Sequence, residues 1–204
     1  MKKLTLATLS TLALTVASTN VFAVDGTITV KGAVTDQTCT LQGDGRFGSS
    51  GLKDITINIR ALPKSWFLSN QGQWIQVFNL FLKNAEGTAN CDAATGKAFK
   101  GIHLSVTSPA TNLDATDKTL LVNQAEGASA TNPIFIQLLT VSSSGFVPVD
   151  LSAPWGDQAT SPILGDGTDE NIIYVYYQAK MFSKTGIVDA QTVQATVNYT
   201  MHYN

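Results

Sequence analysis

Few residues in this chain could carry covalent or metal chemistry. It has two histidines, His103 and His202. His103 lies in an alternating stretch without a Ser or Asp partner in a recognisable motif. His202 falls on the outward side of another such stretch. General acid–base and nucleophilic catalysis both need a partner within hydrogen-bond reach. The sequence places none, so the chain reads as a non-enzyme with no catalytic residue. Asp166-Gly167-Thr168-Asp169-Glu170 has the oxygens of a calcium loop but lacks the EF-hand spacing, and reads as a solvated loop. No metal ligand set and no cofactor motif is assigned. Asn198-Tyr199-Thr200 matches a glycosylation acceptor, but it sits in the middle of an alternating run and is discounted.

The first 23 residues read as a secretory leader. Lys2 and Lys3 give a positive start, an apolar stretch runs over 4–16, and Val21-Phe22-Ala23 supplies small residues for cleavage after Ala23. The mature chain then begins at Val24. Export changes the meaning of the two cysteines, Cys39 and Cys91. An even pair in an oxidising compartment most simply forms one disulfide. Two free thiols and a metal pair are the alternatives, and two histidines without a CxxC argue against the metal. A bridge would close a long loop and stabilise by roughly 3–4 kcal/mol in the chain-entropy model.

About 180 residues remain, enough for one domain with a sizeable core. The formal net charge of the whole chain is −2, and no basic cluster marks a nucleic-acid partner. Thr, Ser, Asn, Gln and Gly supply the polarity, which suits the exposed faces of antiparallel strands.

The elements follow from periodicity. In 193–204 the apolar side chains are Val193, Ala195, Val197, Tyr199, Met201 and Tyr203, with polar residues between them. Period two over this length predicts a strand with one buried face. Chain ends fray unless they are tied down, so this end is expected to be paired. A second alternating run covers 27–34, with Ile28, Val30, Gly32 and Val34 on one side. Further strands are expected at 55–59, 74–82, 102–106, 119–122, 134–141, 146–151 and 172–182. Gly- and Pro-rich loops fall between them, including 65–72 with Trp66 and Phe67 exposed. No segment shows helical periodicity. Seven to nine strands with turn signals predict an all-β sandwich of immunoglobulin type. The disulfide is expected to tie the first strand to the second or third.

Five features resemble the pilin subunits of chaperone–usher fimbriae. A leader is followed closely by Gly26-Thr27-Ile28-Thr29-Val30-Lys31-Gly32-Ala33-Val34 and then Cys39. Ala61-Leu62-Pro63-Lys64-Ser65 is similar to an L-P-x-[VI]-S stretch. Phe78-Asn79-Leu80-Phe81-Leu82-Lys83-Asn84 leads to Cys91. Tyr177-Gln178-Ala179-Lys180-Met181 resembles an [FY]-x-A-x-[YF] motif. The chain closes on an alternating strand with Tyr203 as its penultimate residue. Two departures stand out. Residues 85–90 lengthen the loop before Cys91, and Gln191 stands where many members carry a Gly fourteen residues from the end.

The resemblance implies an incomplete immunoglobulin-like β-sandwich that lacks its last strand and is completed by a strand from a neighbouring subunit. It implies a leader at 1–23, a donor-strand extension at 24–38 and a pilin domain at 39–204. Ile28, Val30, Gly32 and Val34 would face a neighbour's groove, with Gly32 where a side chain does not fit. Val197, Tyr199, Met201 and Tyr203 would line the acceptor groove or touch a chaperone, with the carboxylate of Asn204 gripped by basic chaperone residues. The implied partners are identical or related pilins, a periplasmic chaperone and an outer-membrane usher. The implied destination is a fimbrium on the cell surface. A minor adaptor or terminator pilin is the alternative within the family. A self-contained carbohydrate-binding sandwich, stacking sugars on Trp66, Trp74 or Trp155, is the alternative outside it. The run at 27–34 separates the two, since a self-contained module needs it in its own sheet.

Overall fold

The structure, a computed structural model, describes residues 39–46, 48–70, 72–168 and 172–204. The leader and the extension at 24–38, with Ile28, Val30, Gly32 and Val34, lie outside the described residues. Eleven strands and two short α-helices are found among the described residues. In chain order they are β1 (Thr40–Gly43), β2 (Ser49–Ser50), β3 (Thr56–Ile57), α1 (Lys64–Ser69), β4 (Gln73–Lys83), α2 (Ala93–Ala98) and β5 (Phe99–Val106). There follow β6 (Leu120–Val122), β7 (Phe135–Ser142), β8 (Gly145–Pro148), β9 (Ile163–Leu164), β10 (Tyr174–Phe182) and β11 (Val197–Tyr203).

One large antiparallel sheet runs in the order β1-β4-β10-β7-β6, with β8 on β7 and β9 on β10. The longest strands take its centre because they carry the inward apolar rows. Phe78, Leu80 and Leu82 of β4 and Val175, Tyr177, Ala179 and Met181 of β10 are all buried. β11 pairs with β5, and β2 pairs with β3. Ile102 and Leu104 of β5 join the same core as β4, β7 and β10, so the layers close on one apolar interior. The chain leaves the large sheet just after β1. A Cβ on Gly43 would stand 2.7 Å from the Ser50 backbone nitrogen, so this crossing requires a residue without a side chain.

Cys39 and Cys91 are bonded, with their Cα atoms 5.5 Å apart. Cys39 immediately precedes β1, and Cys91 follows β4, the neighbour of β1. The staple therefore joins adjacent strands, as expected, although two very short strands intervene in sequence.

Two expectations change. The stretch expected as a loop at 65–72 with exposed aromatics contains α1, and Phe67 on it is buried at 4% exposure. A six-residue helix is not stable alone; the Phe67 anchor and the Trp66 Nε1 bond to the Gln73 carbonyl (3.2 Å) hold it. Helix α2 is a second departure from an all-strand reading. Asp92 caps it, accepting from the Ala94 and Thr95 backbone amides, both at 3.0 Å. Hydrogen bonds from Thr95, outweighing a small desolvation cost, hold the Asp92 carboxyl below its usual range.

Candidate functional site

In a closed sandwich every inward row is buried. Two rows here are not. On β11 and the residues leading to it, Val193, Ala195, Val197, Tyr199 and Met201 are half-buried, and the residues between them through Thr200 are exposed. Across from them, Ile55, Ile57, Ile59 and Leu62 are half-buried, while Thr56, Asn58 and Arg60 between them are exposed. Both rows pack on the buried core but stay partly open to solvent. Among the described residues, β11 pairs with β5 along one edge only. On the facing stretch, the pairing of β3 with β2 ends near the bond from the Asn58 amide to the Gly48 carbonyl (2.9 Å). Both rows thus stay half-covered beside strand edges that have no further strand partner among the described residues.

The Tyr199 hydroxyl donates to the Lys53 carbonyl at 3.0 Å, which ties β11 to the stretch leading into β3. Tyr203 packs its ring on Phe99, centroids 5.7 Å apart, and is itself 39% exposed. Burial and the nearby Asp92 push the Tyr203 hydroxyl up, and burial together with Asp54 does the same to Tyr199. Beside α1, Trp66 and Trp74 meet edge to face at 5.2 Å. Arg60 lies over both rings, at 4.1 Å from the centroid of Trp74 and 5.8 Å from that of Trp66. The chain after α1 meets the turn after β10, where the Ser183 amide donates to the Gly72 carbonyl at 2.7 Å.

The structure thus sets Val197, Tyr199 and Met201 on one half-buried face of β11 and leaves Tyr203 exposed at its end. It also locates the start of the last strand. Alternation begins at Val193, but ladder pairing with β5 begins only at Val197. Before that, Asn123 holds the chain. Its side chain donates to the Thr192 carbonyl (2.7 Å) and to Gln191 Oε1 (3.1 Å), and accepts from the Gln194 amide (2.9 Å). Gln191, standing where the resemblance expects Gly, accepts from the Ser129 and Ile134 amides and donates to the Asn132 carbonyl. Sequence reasoning did not find Asn123 and met Gln191 only as a departure from the resemblance, because each serves partners about sixty to seventy residues away.

The other chemical candidates are occupied. His103 Nε2 bonds the Ala153 carbonyl at 2.9 Å. His202 stacks flat on Trp155, with centroids 4.0 Å apart. Cys39, Cys91 and Asp92 form a group of potential metal ligands, but the two sulfurs are bonded to each other. No described helix is long and apolar enough to cross a membrane.

The fold is similar to that of a solved pilus subunit. The P pilus rod subunit PapA superposes with a TM-score of 0.51 at 19% identity, covering 87% of this chain and all of that one. In sequence, the chain is 28% identical over 191 residues to the major fimbrial subunit SMF-1 of Stenotrophomonas maltophilia strain K279a, covering 89% of this chain and 94% of that protein. It is 25% identical over 189 residues to the F17 fimbrial protein of Escherichia coli, covering 92% of each. No family model matches the chain. In sequence the chain is thus similar to fimbrial subunits, and in fold to a pilus rod subunit.

Proposed function

We propose that the protein is a structural, non-catalytic subunit of a bacterial adhesive fimbria, polymerised by exchange of donor strands after chaperone-assisted export. The observation that carries this is the groove between residues 55–62 and 193–201, whose two apolar walls lack a strand between them among the described residues. The extension at 24–38 is the strand that fits it, taken from a second copy. Ile28, Val30 and Val34 fill pockets, and Gly32 passes where the groove is narrow. Backbone bonds to the free edges give affinity, and alternate side chains give specificity. Burying three aliphatic side chains stabilises by about 5–9 kcal/mol before ordering costs.

Donor and acceptor lie on one chain but meet between chains. Such a head-to-tail contact builds an open filament. Until a neighbour arrives, the groove is an aggregation hazard. A periplasmic chaperone that lends a strand over Val197, Tyr199, Met201 and Tyr203 removes that hazard, and an outer-membrane usher then receives the subunit. The fibre stands on the cell surface.

The test is periplasmic expression with and without the cognate chaperone, for the full chain and for a form lacking residues 24–34. The full chain should need the chaperone and give detergent-resistant multimers, and the shortened form should give none. A stable monomer without chaperone that unfolds when 24–34 is removed would overturn the reading in favour of a self-contained sandwich.

A further inference from the structure

Helix α1 and the start of β4 enclose an open cleft of about 470 Å³, lined by Trp66, Ser69, Asn70, Gln73, Trp74 and Ile75. That volume falls within the range of small-molecule sites, about 300–1,000 Å³. Trp66, Ser69 and Asn70 stand at i, i+3 and i+4 of the helix and so share one face. The helix is pinned beside β4. Phe67 is buried in the core, and the Gly72 amide donates to its carbonyl at 2.6 Å. A Cβ on Gly72, whose φ is +72°, would stand 2.7 Å from the Ser183 carbonyl oxygen, so the turn into β4 admits no side chain. A cleft anchored in this way loses little freedom when a ligand enters.

Its walls combine two kinds of contact. The indole planes of Trp66 and Trp74 meet at 75° and make an aromatic corner. Ile75, 43% exposed, extends the apolar surface. The Ser69 hydroxyl donates to the Ser65 carbonyl at 3.2 Å, and the Asn70 amide nitrogen donates to the Trp66 carbonyl at 2.9 Å. Each of these side chains keeps its oxygen as an acceptor.

The charge beside the cleft is positive. The Arg60 guanidinium lies over both indoles. Lys180 of β10 is the cross-strand partner of Ile75, and its ammonium lies 4.8 Å from the ring of Phe182, the partner of Gln73. The ion pair found among the described residues, Lys184 with Asp114, involves neither cation. No lining residue is acidic. In a chain of net charge −2 this is a local reversal of sign, and it favours an anionic ligand.

We propose that this cleft binds an acidic saccharide, with Arg60 meeting the carboxylate and the Trp66–Trp74 corner meeting the sugar ring. A simple anion would use the cations and leave the rest of the wall idle. A carboxylated sugar uses all of it. Its C–H face packs on indole, its hydroxyls donate to the Ser69 and Asn70 oxygens, and its carboxylate matches the guanidinium fork. A single open site of this kind is weak. Repeated along a fibre, it gains about a hundredfold or more in avidity without a new contact. The site itself does not depend on the donor-strand reading; that gain does.

The test uses the full-length protein, as chaperone-held subunit and as multimer. It is titrated with glucuronic, galacturonic and N-acetylneuraminic acids, each against its methyl ester, and with acetate. Binding is read by tryptophan fluorescence and calorimetry. One or more of the acids should bind at millimolar concentration, and its ester about tenfold more weakly. Arg60→Gln, at an exposed side chain, should erase that preference and leave ester binding unchanged. Failure of all three acids to bind would overturn the site. Acetate binding as tightly as the acids would reduce it to a plain anion site and overturn the saccharide. Equal loss of acid and ester binding in Arg60→Gln would overturn the role given to the guanidinium. On a surface coated with the bound acid, multimers should be retained about a hundredfold more tightly than the single subunit. Equal retention would support the cleft and count against the fibre.

Discussion

Two sides of this sandwich are built from the same kinds of residue and end differently. On the closed side, Leu82 on β4 and Val175 and Tyr177 on β10 are at most 1% exposed. On the open side, Val197 and Tyr199 on β11 repeat the alternation and remain half-exposed. Composition and period do not separate them. β10 lies between two long strands, β4 and β7, while among the described residues β11 has β5 alone. Hydrophobic patterning marks which face a strand will bury, but a second neighbour decides whether the burial is completed.

The largest way to break this contrast is to release the edge strand next to the closed side. Replacing Cys39 and Cys91 together by Ser opens a loop spanning a separation of 52 residues. This should cost about 4 kcal/mol of stability, read by urea denaturation of the chaperone-free or strand-completed subunit. A loss below 1 kcal/mol would mean that the β1–β4 pairing is self-sufficient.

A paired truncation sharpens the contrast directly. Leu82→Ala on the closed side should cost about 3 kcal/mol whether or not a donor strand is present. Val197→Ala should cost less than about 1 kcal/mol in the uncompleted subunit and clearly more in the completed one, because the cavity exists only once the groove is covered. Equal costs in the two states for Val197 would place the missing strand elsewhere.

Tyrosine titration separates the sides by pH. Burial pushes the Tyr177 hydroxyl up to about 12, opposed weakly by the Ser161 amide. Its folded value exceeds the unfolded one, so the stability it contributes is full below about pH 10 and is lost as pH rises toward 12. Loss of roughly 2–3 kcal/mol is expected over that window. In absorbance at 295 nm, Tyr199, also raised but half-exposed, should ionise before Tyr177. The reverse order would contradict the open and closed assignment.

The smallest effect lies away from both sides. Burial opposes ionisation of Asp114, but the Lys184 ammonium at 2.8 Å and the Thr116 hydroxyl outweigh it and hold the carboxyl well below its usual range. A depressed value contributes stability above about pH 4 that is lost as pH falls further. Lys184 is 40% exposed, so Lys184→Ala should cost only about 0.5 kcal/mol at neutral pH, with no change in multimer formation. A larger loss would mean that this pair supports the groove.

Much was legible in the sequence because strand alternation is a local property. Phe78, Leu80 and Leu82, and then Val197, Tyr199 and Met201, declare their faces through a two-residue repeat that any neighbouring partner must respect. Export and an even cysteine count were enough to pair Cys39 with Cys91. Helix α2 had a readable signal in Asp92 followed by Ala93 and Ala94, an N-cap ahead of good helix formers. Helix α1 had none, since its six residues are held by Phe67 reaching a core that the local sequence does not contain.

The sequence alone thus determined which residues alternate, which face of each strand is apolar, and that one terminal strand is strongly patterned. Only the tertiary structure decided that this strand is left half-covered, that Asn123 and Gln191 hold its approach, and that Arg60 meets Trp66 and Trp74. The reason is the range of the forces involved. Backbone period is set by neighbours along the chain, whereas burial, edge pairing and charge compensation are set by residues brought together from far apart.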